Sequence, residues 1–434
     1  MSHSMPTTST YLDGVILVVN VVPDLAIVID SPGCGLERTD KIGLRHDVYS
    51  TVTLPGMNAR LINSMVRFPD ITLGTEPKVV AAAKEINTNN NPSAIMVTAN
   101  STIELTGEYH EMTCRRLSAE FGKPVFSFPS RSISGDFLDG ISDALKAVAG
   151  HVPLSPAPIP GNVAIVGAPF ERNEMDCHAN LNELKRMLAG LGLTTCATLP
   201  SGVPFNDYRL LSSAELVIGL PYGHEAAAEL AQRLAVPMLP LELPVGMSGS
   251  AHWLRKVAEA TGRHEEAERF IQAELQDLLR RVQRVVRTMF FGKRLLLALD
   301  PYLARALVPA LAELGFEVVD LMLRTRAAWR VTETSSMFES AGLRFPISFD
   351  TRLPELNQTW SSAIASGVDL IIATTLERAA LEDGSVAYLE MGFPSYLRHA
   401  LFDAPWLGFR GMLWLCDRMY NTMSENKYIV NAKT

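Results

Sequence analysis

The stretch AIVIDSPGCGLERTD, residues 26–40, combines an apolar run with a glycine-flanked cysteine. The apolar residues end at Asp30, and Ser-Pro-Gly then precedes Cys34 and Gly35. Glycine adopts backbone conformations that residues with a Cβ resist, so the pattern predicts a buried strand that stops abruptly at a tight turn. Ligands of open α/β sheets bind beyond the carboxyl ends of the strands, which makes this turn a candidate site.

Similar apolar runs recur along the chain and alternate with amphipathic helical patterns. Near-continuous apolar strands joined by helical crossovers are typical of parallel sheets that are covered on both faces. The sequence therefore predicts an α/β fold made of doubly wound, Rossmann-like parallel sheets. The predicted strands are VILVVN, AIVID, AIMVT and PVFSF, then NVAIVG, ELVIG and VPMLPL, and last RLLLALD, FEVVDLML and DLIIATT.

Two breaks divide this pattern into three predicted domains. The segment HVPLSPAPIPG, residues 151–161, contains four prolines and indicates a stiff linker before a new strand. A long charged helical stretch, EEAERFIQAELQDLLRRVQRVVRTM, precedes the second new start at GKRLLLALDP. We predict domains at residues 1–155, 160–290 and 291–415, followed by a C-terminal tail at residues 416–434.

Composition and missing motifs exclude several classes of function. The chain has 434 residues and a net charge of −8 without a block of basic residues, so we expect no nucleic-acid partner. Its apolar runs are far shorter than the ~20 residues of a transmembrane helix, and its start lacks the plan of a signal peptide, which predicts a cytoplasmic protein without a membrane partner. No P-loop and no strand-linked G-x-G-x-x-G is present, so we expect no nucleotide on this chain.

The cysteines point away from a disulfide framework. Five are present, an odd number spread along the chain without a CxxC pair, which also argues against a self-contained metal site. Cys34 is then either a buried small hydrophobe, the usual role of a free cysteine, or a functional thiol. Cys177, beside His178, is predicted to lie in a loop, and GMSGS, residues 246–250, is predicted to form a turn.

The order and spacing of these segments resemble component 1 of nitrogenase and its relatives, which are the protochlorophyllide and chlorophyllide reductases and the cofactor-assembly scaffold. The resemblance covers almost the whole chain and implies a fold of three doubly wound domains. The segments that carry it include IDSPGCG, LGTEPKVVAAAKEI, PSAIMVTANSTIELTGEYHEM, PVFSFPSRSISGDFLDGISDAL, NVAIVGAPFERNEMDCHANLNELKRMLAGLGL and GKRLLLALDPYLARALVPALAELGFEVV.

Departures from the family pattern are informative. Members that hold an eight-iron cluster supply three cysteines per chain, and here only Cys34 matches. The second cysteine position falls near residues 63–65 and the third near Ala99 and Asn100, none of which is cysteine. The catalytic α-type subunit also has a cysteine for its large cofactor, and the matching place, residues 220–222, lacks one. The resemblance therefore implies a β-type subunit that lends a single ligand.

A [4Fe–4S] cluster is usually held by four protein thiolates. The resemblance therefore implies a cluster shared with an α-type partner in a heterodimer, or in an α2β2 heterotetramer. It also implies electron delivery by a separate ATP-hydrolysing iron–sulfur reductase. Peptide N–H groups of Gly33, Gly35 and Leu36 would bond to cluster sulfur. Glu104 and Glu108 would face the reductase, or would be solvated carboxylates at a helix start.

Three functions remain open at this point. The chain is a subunit of a two-component reductase for a tetrapyrrole or for a small sulfur- or nitrogen-containing molecule. Alternatively, it is a non-catalytic scaffold on which an iron–sulfur cofactor matures. The third possibility is a metal-free binding protein in which Cys34 is buried.

Overall fold

The computed structural model describes residues 8–33, 41–52, 59–107, 109–381 and 386–431. The chain divides into two compact units. The first contains Ser9–Cys177 and Thr194–Pro240, and the second contains Thr8, His178–Leu193 and the described residues from Leu241 onward.

The first unit holds two four-stranded parallel sheets, with strand orders β2-β1-β3-β4 and β6-β5-β7-β8. Its strands are β1 Leu25–Asp30, β2 Leu61–Asn63, β3 Ala94–Ala99, β4 Val125–Ser127, β5 Asn162–Val166, β6 Thr194–Leu199, β7 Leu216–Gly219 and β8 Met238–Pro240. Its helices are α1 Tyr11–Asn20, α2 Phe68–Leu73, α3 Glu76–Asn90, α4 Ser101–Glu104, α5 Glu111–Phe121, α6 Phe137–His151, α7 Met175–Ala189, which continues into the second unit, and α8 His224–Leu234. Short helices of the 3-10 or π type occupy Ile42–His46, Phe205–Ser213 and Pro221–Gly223.

The second unit holds one five-stranded parallel sheet of order β11-β10-β9-β12-β13. Its strands are β9 Arg294–Leu299, β10 Glu317–Leu323, β11 Ile347–Phe349, β12 Leu370–Ala373 and β13 Ala387–Glu390. Its helices are α9 Gly246–Thr261, α10 His264–Val285, which continues as a π-type turn over Val286–Phe290, α11 Pro301–Glu313, α12 Ala328–Ser340, α13 Leu353–Ala365, α14 Thr375–Ala380 and α15 Gly408–Asn431. Within the described ranges, no helix is both long and apolar enough to cross a bilayer.

The predicted α/β class with parallel sheets is confirmed. Strand order places a switch point in each sheet, because the chain leaves a central strand to one side and later returns on the other. In the first sheet the switch point lies between β1 and β3, directly beyond Asp30. The predicted domain boundaries stay a prediction.

The strands that the sequence pattern missed are all edge strands, namely β2, β6, β11 and β13. A strand at a sheet edge is often short and carries polar residues, so its sequence lacks a long apolar run. β2, for example, has only three residues.

The prediction of a strand at VILVVN is wrong, because these residues lie in helix α1. All ten residues of α1 are buried, so the segment has no polar face to reveal a helical period. Gly14 and Gly140 allow α1 and α6 to approach closely, since a Cβ on Gly14 would lie 1.9 Å from the Phe137 carbonyl oxygen. The signal that identifies the helix is a capping box, in which Asp13 accepts bonds from the Thr10 N–H and hydroxyl at 2.8 Å each.

Two smaller predictions are also corrected. GMSGS begins helix α9 instead of forming a turn, because the Glu313 carboxylate accepts the free N–H groups of Met247 and Ser248 at 3.0 and 2.9 Å. Cys177 lies in helix α7 and not in a loop. The acidic residues just before it, Glu174 and Asp176, suit a helix start.

Candidate functional site

The carboxyl edge of the first sheet gathers three segments that were predicted to lie near the site. In the sheet register, Ile29 of β1 lies opposite Asn63 of β2 and Thr98 of β3. The segments that follow these strands therefore leave the sheet at the same level. The positions matched to the second and third family cysteines thus lie at the edge where the turn toward Cys34 begins.

Cys34, Gly35, Leu36 and Glu108 lie outside the described residues. Gly33 is described and has a φ of +75°, a left-handed conformation that favours glycine and that agrees with the predicted turn.

Met65 lies beside this turn. A Cβ on Gly33 would lie 3.2 Å from the Met65 Sδ atom. Met65 itself has a φ of +54°, and 56% of its surface is exposed. A left-handed, exposed methionine is unusual, and it places a thioether next to the residue before Cys34.

Asp30 is the centre of a buried hydrogen-bond network at this edge. Its Oδ1 accepts the Ser64 hydroxyl at 2.6 Å, and its Oδ2 accepts the Thr75 hydroxyl and the His110 Nε2–H, the latter at 2.8 Å. The backbone N–H of Asn100 donates to the Asp30 carbonyl at 3.1 Å. The carboxylate therefore joins the ends of β1 and β2 to the starts of helices α3 and α5, and the Asp30 carbonyl adds the end of β3.

The charge compensation of Asp30 is unusual. The side chain is fully buried, yet no lysine or arginine in the described part of the chain pairs with it. Two hydroxyls and the imidazole of His110 are its only described side-chain partners. A buried carboxylate without a permanent cation is costly and is common at functional sites.

A second layer of polar groups continues toward the turn. The Ser31 N–H donates to the Ser64 hydroxyl at 3.0 Å, and the Ser31 hydroxyl donates to Asn63 Oδ1 at 2.6 Å. The Asn63 Nδ2 group is buried and has no partner among the described residues. An unpartnered buried donor of this kind requires an additional acceptor, such as water or a bound group.

A cavity of about 200 Å³ opens beyond β3 and β4 and includes the ring of His110 in its wall. Its wall also includes Thr98, whose buried hydroxyl has no partner among the described residues. Its remaining lining residues are Val97, Ala99, Glu104, Gly107, Tyr109, Ser127, Phe128, Pro129 and Ser130.

Glu104 has a local structural role. Its Oε2 accepts the Ile133 N–H at 3.1 Å and lies 3.4 Å from the Ser130 hydroxyl. The half-buried carboxylate thus holds the loop that follows β4. Its predicted docking role, like that of Glu108, stays a prediction.

Exposed apolar side chains recur in the segments beyond this edge and are named here the apolar rim. They lie in segments that follow the carboxyl ends of β2, β3 and β4, and their exposures range from 48% to 85%. Clustered exposed apolar residues mark interaction surfaces. The apolar rim consists of Met65, Phe68, Leu73, Leu105, Tyr109, Met112 and Ile133.

The described residues do not hold a metal centre by themselves, because no group of three or more His, Cys, Asp or Glu residues in the described ranges is arranged for one. Burial raises the pKa of Cys114 to about 11 and that of Cys416 to about 12, and it raises the pKa of Cys177 well above the usual value. Such thiols are structural. Among the described residues, the edge offers hydroxyl, amide, imidazole and thioether groups.

The place matched to the large-cofactor cysteine of the α-type subunit is closed. Leu220 and Tyr222 are buried, and the backbones after β5 and β7 touch. A Cβ on Gly167 would lie 2.2 Å from the Gly223 nitrogen. The segments after β5 and β7 therefore lie in direct backbone contact here.

Sequence reasoning missed the role of His110, which precedes helix α5 in the segment GEYHEM. Its importance depends on a contact with Asp30 across 80 positions of sequence, and no local pattern reveals that contact. Thr75, the residue before α3, was missed for the same reason.

Comparison with known proteins gives the family. The family model described as nitrogenase component 1 type oxidoreductase matches residues 12–424. The B-type chain of light-independent protochlorophyllide reductase from Pelodictyon phaeoclathratiforme is 25% identical over 95% of this chain and 77% of that protein. The nitrogenase molybdenum-iron protein beta chain of Clostridium pasteurianum is 21% identical over 81% of this chain and 80% of its own length.

A solved structure shares the fold. A chain of nitrogenase Cp1 at pH 6.5 superposes with a TM-score of 0.82 at 18% identity and covers 97% of this chain and 93% of that one. The predicted resemblance is confirmed, and the two curated relatives named above are both B-type or beta chains. This chain belongs to the family of nitrogenase component 1 type oxidoreductases, as a nitrogenase-like β-type subunit.

Proposed function

We propose that this chain contributes the Cys34 thiolate to an iron–sulfur cluster, of [4Fe–4S] type, that an α-type partner completes with three cysteines. The observation that carries the proposal is the convergence at the carboxyl edge of the first sheet. There, the turn toward Cys34 meets the segments after β2 and β3, which supply oxygen, nitrogen and thioether groups but no second thiolate. A cluster at this edge requires ligands from another chain.

The apolar rim supports a subunit interface around the same edge. Its residues expose large side chains such as Phe68, Leu105 and Met112 at 83%, 77% and 73%. Burying each of them in an interface gains roughly 1.5–3 kcal/mol in hydrophobic free energy. A partner seated here would cover the rim and would bring its own ligands to the turn. The assembly is then a heterodimer or an α2β2 heterotetramer.

Electrons reach such a cluster from a separate ATP-hydrolysing iron–sulfur reductase, since this chain has no P-loop. Glu104 and Glu108 are the proposed contacts for that reductase. When bound, the cluster supplies one-electron transfer, and this chain's part is to position Cys34 and to surround the edge with hydrogen-bond donors. The substrate class and a cytoplasmic location stay predictions.

The first experiment tests the ligand. The chain is co-purified with its α-type partner without oxygen, and iron content and the EPR spectrum of the reduced complex are measured. Cys34→Ser should remove or shift the cluster signal while the heterodimer still forms. The matched control is Cys196→Ser, because Cys196 is a half-buried thiol on β6 of the same unit. An unchanged spectrum in Cys34→Ser would remove this residue from the ligand set, and an iron-free complex would refute the proposal.

The second experiment separates the reductase from the assembly scaffold. The purified complex is mixed with its reductase and ATP, and turnover of tetrapyrrole and small sulfur- or nitrogen-containing substrates is measured. Turnover supports the reductase. Transfer of the iron–sulfur cofactor to an acceptor protein without turnover supports the scaffold.

A further inference from the structure

The cavity beyond β3 and β4 and the buried pair formed by His110 and Asp30 are not used by the cluster ligand itself. We propose that His110 is a proton-accepting residue that binds one proton, delivered from solvent through cavity water, when the cluster gains one electron, and releases it when the electron leaves. The inference rests on the proposed function, because it needs a redox centre near the turn toward Cys34. It adds a proton site that the ligand assignment does not require.

The geometry of His110 suits this role. Its Nε2 bonds to the buried Asp30 at 2.8 Å, so the carboxylate fixes the ring and favours a proton on that nitrogen. In the described part of the chain no group bonds to the other nitrogen, Nδ1, and the ring forms part of the cavity wall. Nδ1 is therefore the ring nitrogen without a described partner, and we assign the incoming proton to it.

The cavity can hold the water that this role needs. At about 200 Å³ it has room for several water molecules, each of which occupies about 30 Å³ in the liquid. Thr98 in its wall is only 2% exposed, and its buried hydroxyl lacks a described partner. A buried hydroxyl in a cavity wall is a typical anchor for ordered water. The titratable side chains that line the cavity are Glu104, Tyr109 and His110 itself.

A continuous set of hydrogen bonds joins this proton site to the segment that carries Cys34. His110 bonds to Asp30, Asp30 accepts the Ser64 hydroxyl, and that hydroxyl accepts the Ser31 N–H at 3.0 Å. Ser31 precedes Cys34 by three positions.

Electrostatics gives the coupling. Adding an electron near this edge places a negative charge beside a buried carboxylate that has no permanent cation. Because like charges repel strongly in a low-dielectric interior, the added electron raises the proton affinity of His110. The reductant is the reduced iron–sulfur partner. When the cluster takes up one electron, one proton from bulk solvent reaches Nδ1 through the cavity water, which is left neutral, and imidazole becomes imidazolium. The proton returns to solvent when the electron leaves, and no bond between heavy atoms forms or breaks.

The experiment is potentiometry on the assembled complex between about pH 6 and pH 9, a range that brackets ordinary histidine titration. Coupling one proton to one electron changes the reduction equilibrium by about tenfold per pH unit wherever proton uptake accompanies reduction. His110→Gln keeps an N–H toward Asp30 but cannot bind the proton, so its potential should not vary with pH. His252→Gln is the control, since His252 is an exposed histidine on α9 and should keep the wild-type pH dependence.

A second variant separates loss of the proton site from loss of structure. His110→Ala enlarges the cavity, and added imidazole should restore the pH dependence. Wild-type pH dependence in an iron-loaded His110→Gln complex would overturn this inference and leave the ligand role of Cys34 intact. A pH-independent wild-type potential would also overturn it. An iron-free wild-type complex would refute the proposed function as well.

Discussion

The carboxyl edges of the β1 sheet and the β9 sheet each contain a buried acid near a switch point, but the two acids are compensated differently. In the β9 sheet, Glu377 is fully buried against Arg324, whose Nε lies 3.3 Å from Oε1. Its Oε2 also accepts the N–H and hydroxyl of Thr374 at 3.0 and 2.5 Å. In the β1 sheet, Asp30 has hydroxyls and a histidine instead of an arginine.

The different partners of the two acids distinguish a structural group of side chains around Glu377 from a candidate functional group around Asp30. A buried acid that pairs with a buried arginine and also caps a helix has a permanent positive charge beside it. An acid that pairs with histidine, beside a cavity and an unpartnered amide, keeps a group that can change its protonation state. The same type of sheet thus provides a closed edge in one unit and an open one in the other.

The largest expected effect tests the closed edge. Glu377→Gln removes the buried carboxylate that pairs with Arg324, so we expect the second unit to lose about 3–5 kcal/mol of unfolding free energy. All five tryptophans of the chain lie in this unit, at positions 253, 329, 360, 406 and 414, so fluorescence during urea unfolding reports it selectively. Glu339→Gln, at an exposed position on α12, is the control. A loss below about 1 kcal/mol would show that the pair is not the stabilising feature inferred here.

A separate test concerns association instead of stability and uses the apolar rim, which should be covered in the assembled complex. Leu105→Glu places a charge where we expect a buried contact, and it should weaken association with the α-type partner by tenfold or more, equivalent to about 1.4 kcal/mol. Leu279→Glu is the control, because Leu279 is a single exposed leucine on α10. Affinity is measured by analytical ultracentrifugation. Equal affinities for the two variants would place the partner elsewhere on the chain.

These contrasts also show what the sequence could predict. The parallel sheets follow from apolar runs such as AIVID and RLLLALD, because buried central strands must be apolar on both faces. The glycine turn before Cys34 follows from local chemistry, and the +75° φ of Gly33 agrees with it. Both features depend on residues that are adjacent in the sequence.

The hydrogen-bond network could not be predicted in this way. Asp30 meets Thr75 and His110 only after three strands have aligned, and these partners lie 45 and 80 positions away. The run VILVVN predicts a strand, because a fully buried helix has no alternation of polar and apolar residues at helical spacing. Only the Thr10–Asp13 capping box distinguishes this segment as a helix. Contacts that depend on register and packing stay hidden when one sequence is considered alone.

Two serines provide a matched test of how many hydrogen-bond donors each buried carboxylate oxygen has. The Ser64 hydroxyl donates to Asp30 Oδ1 and the Ser395 hydroxyl donates to Glu390 Oε1, both at 2.6 Å. Glu390 Oε1 retains three other donors, from the Thr375 hydroxyl and two backbone N–H groups. In the described contacts Asp30 Oδ1 has only Ser64.

We therefore expect Ser64→Ala to cost more than Ser395→Ala. The first leaves a buried carboxylate oxygen without a donor and should cost about 2–3 kcal/mol, whereas the second should cost about 1 kcal/mol. Hydrogen exchange of β1 and β13 measures the local opening free energies in each variant. Equal losses at the two edges would contradict the contrast drawn between them.

The smallest effect concerns an acid of the β9 sheet that lacks an arginine. Asp320 of β10 is buried, and the Trp360 Nε1–H, at 3.1 Å from Oδ2, is its described side-chain donor. Burial raises the pKa of this carboxyl above its ordinary value, and the Trp360 bond opposes part of that shift. The folded state then holds its proton to higher pH than the unfolded state, so stability falls as pH rises from the unfolded pKa of 3.8 through the folded one.

Asp320→Asn removes this cost and should stabilise the second unit at pH 7 by less than about 1 kcal/mol, because the indole bond and residual solvent contact offset part of the desolvation. The gain should disappear below the unfolded pKa, where the carboxyl is protonated in both states, and tryptophan-monitored urea unfolding at the two pH values measures it. A gain that persists in acid would mean that packing, and not the buried charge, distinguishes the two side chains.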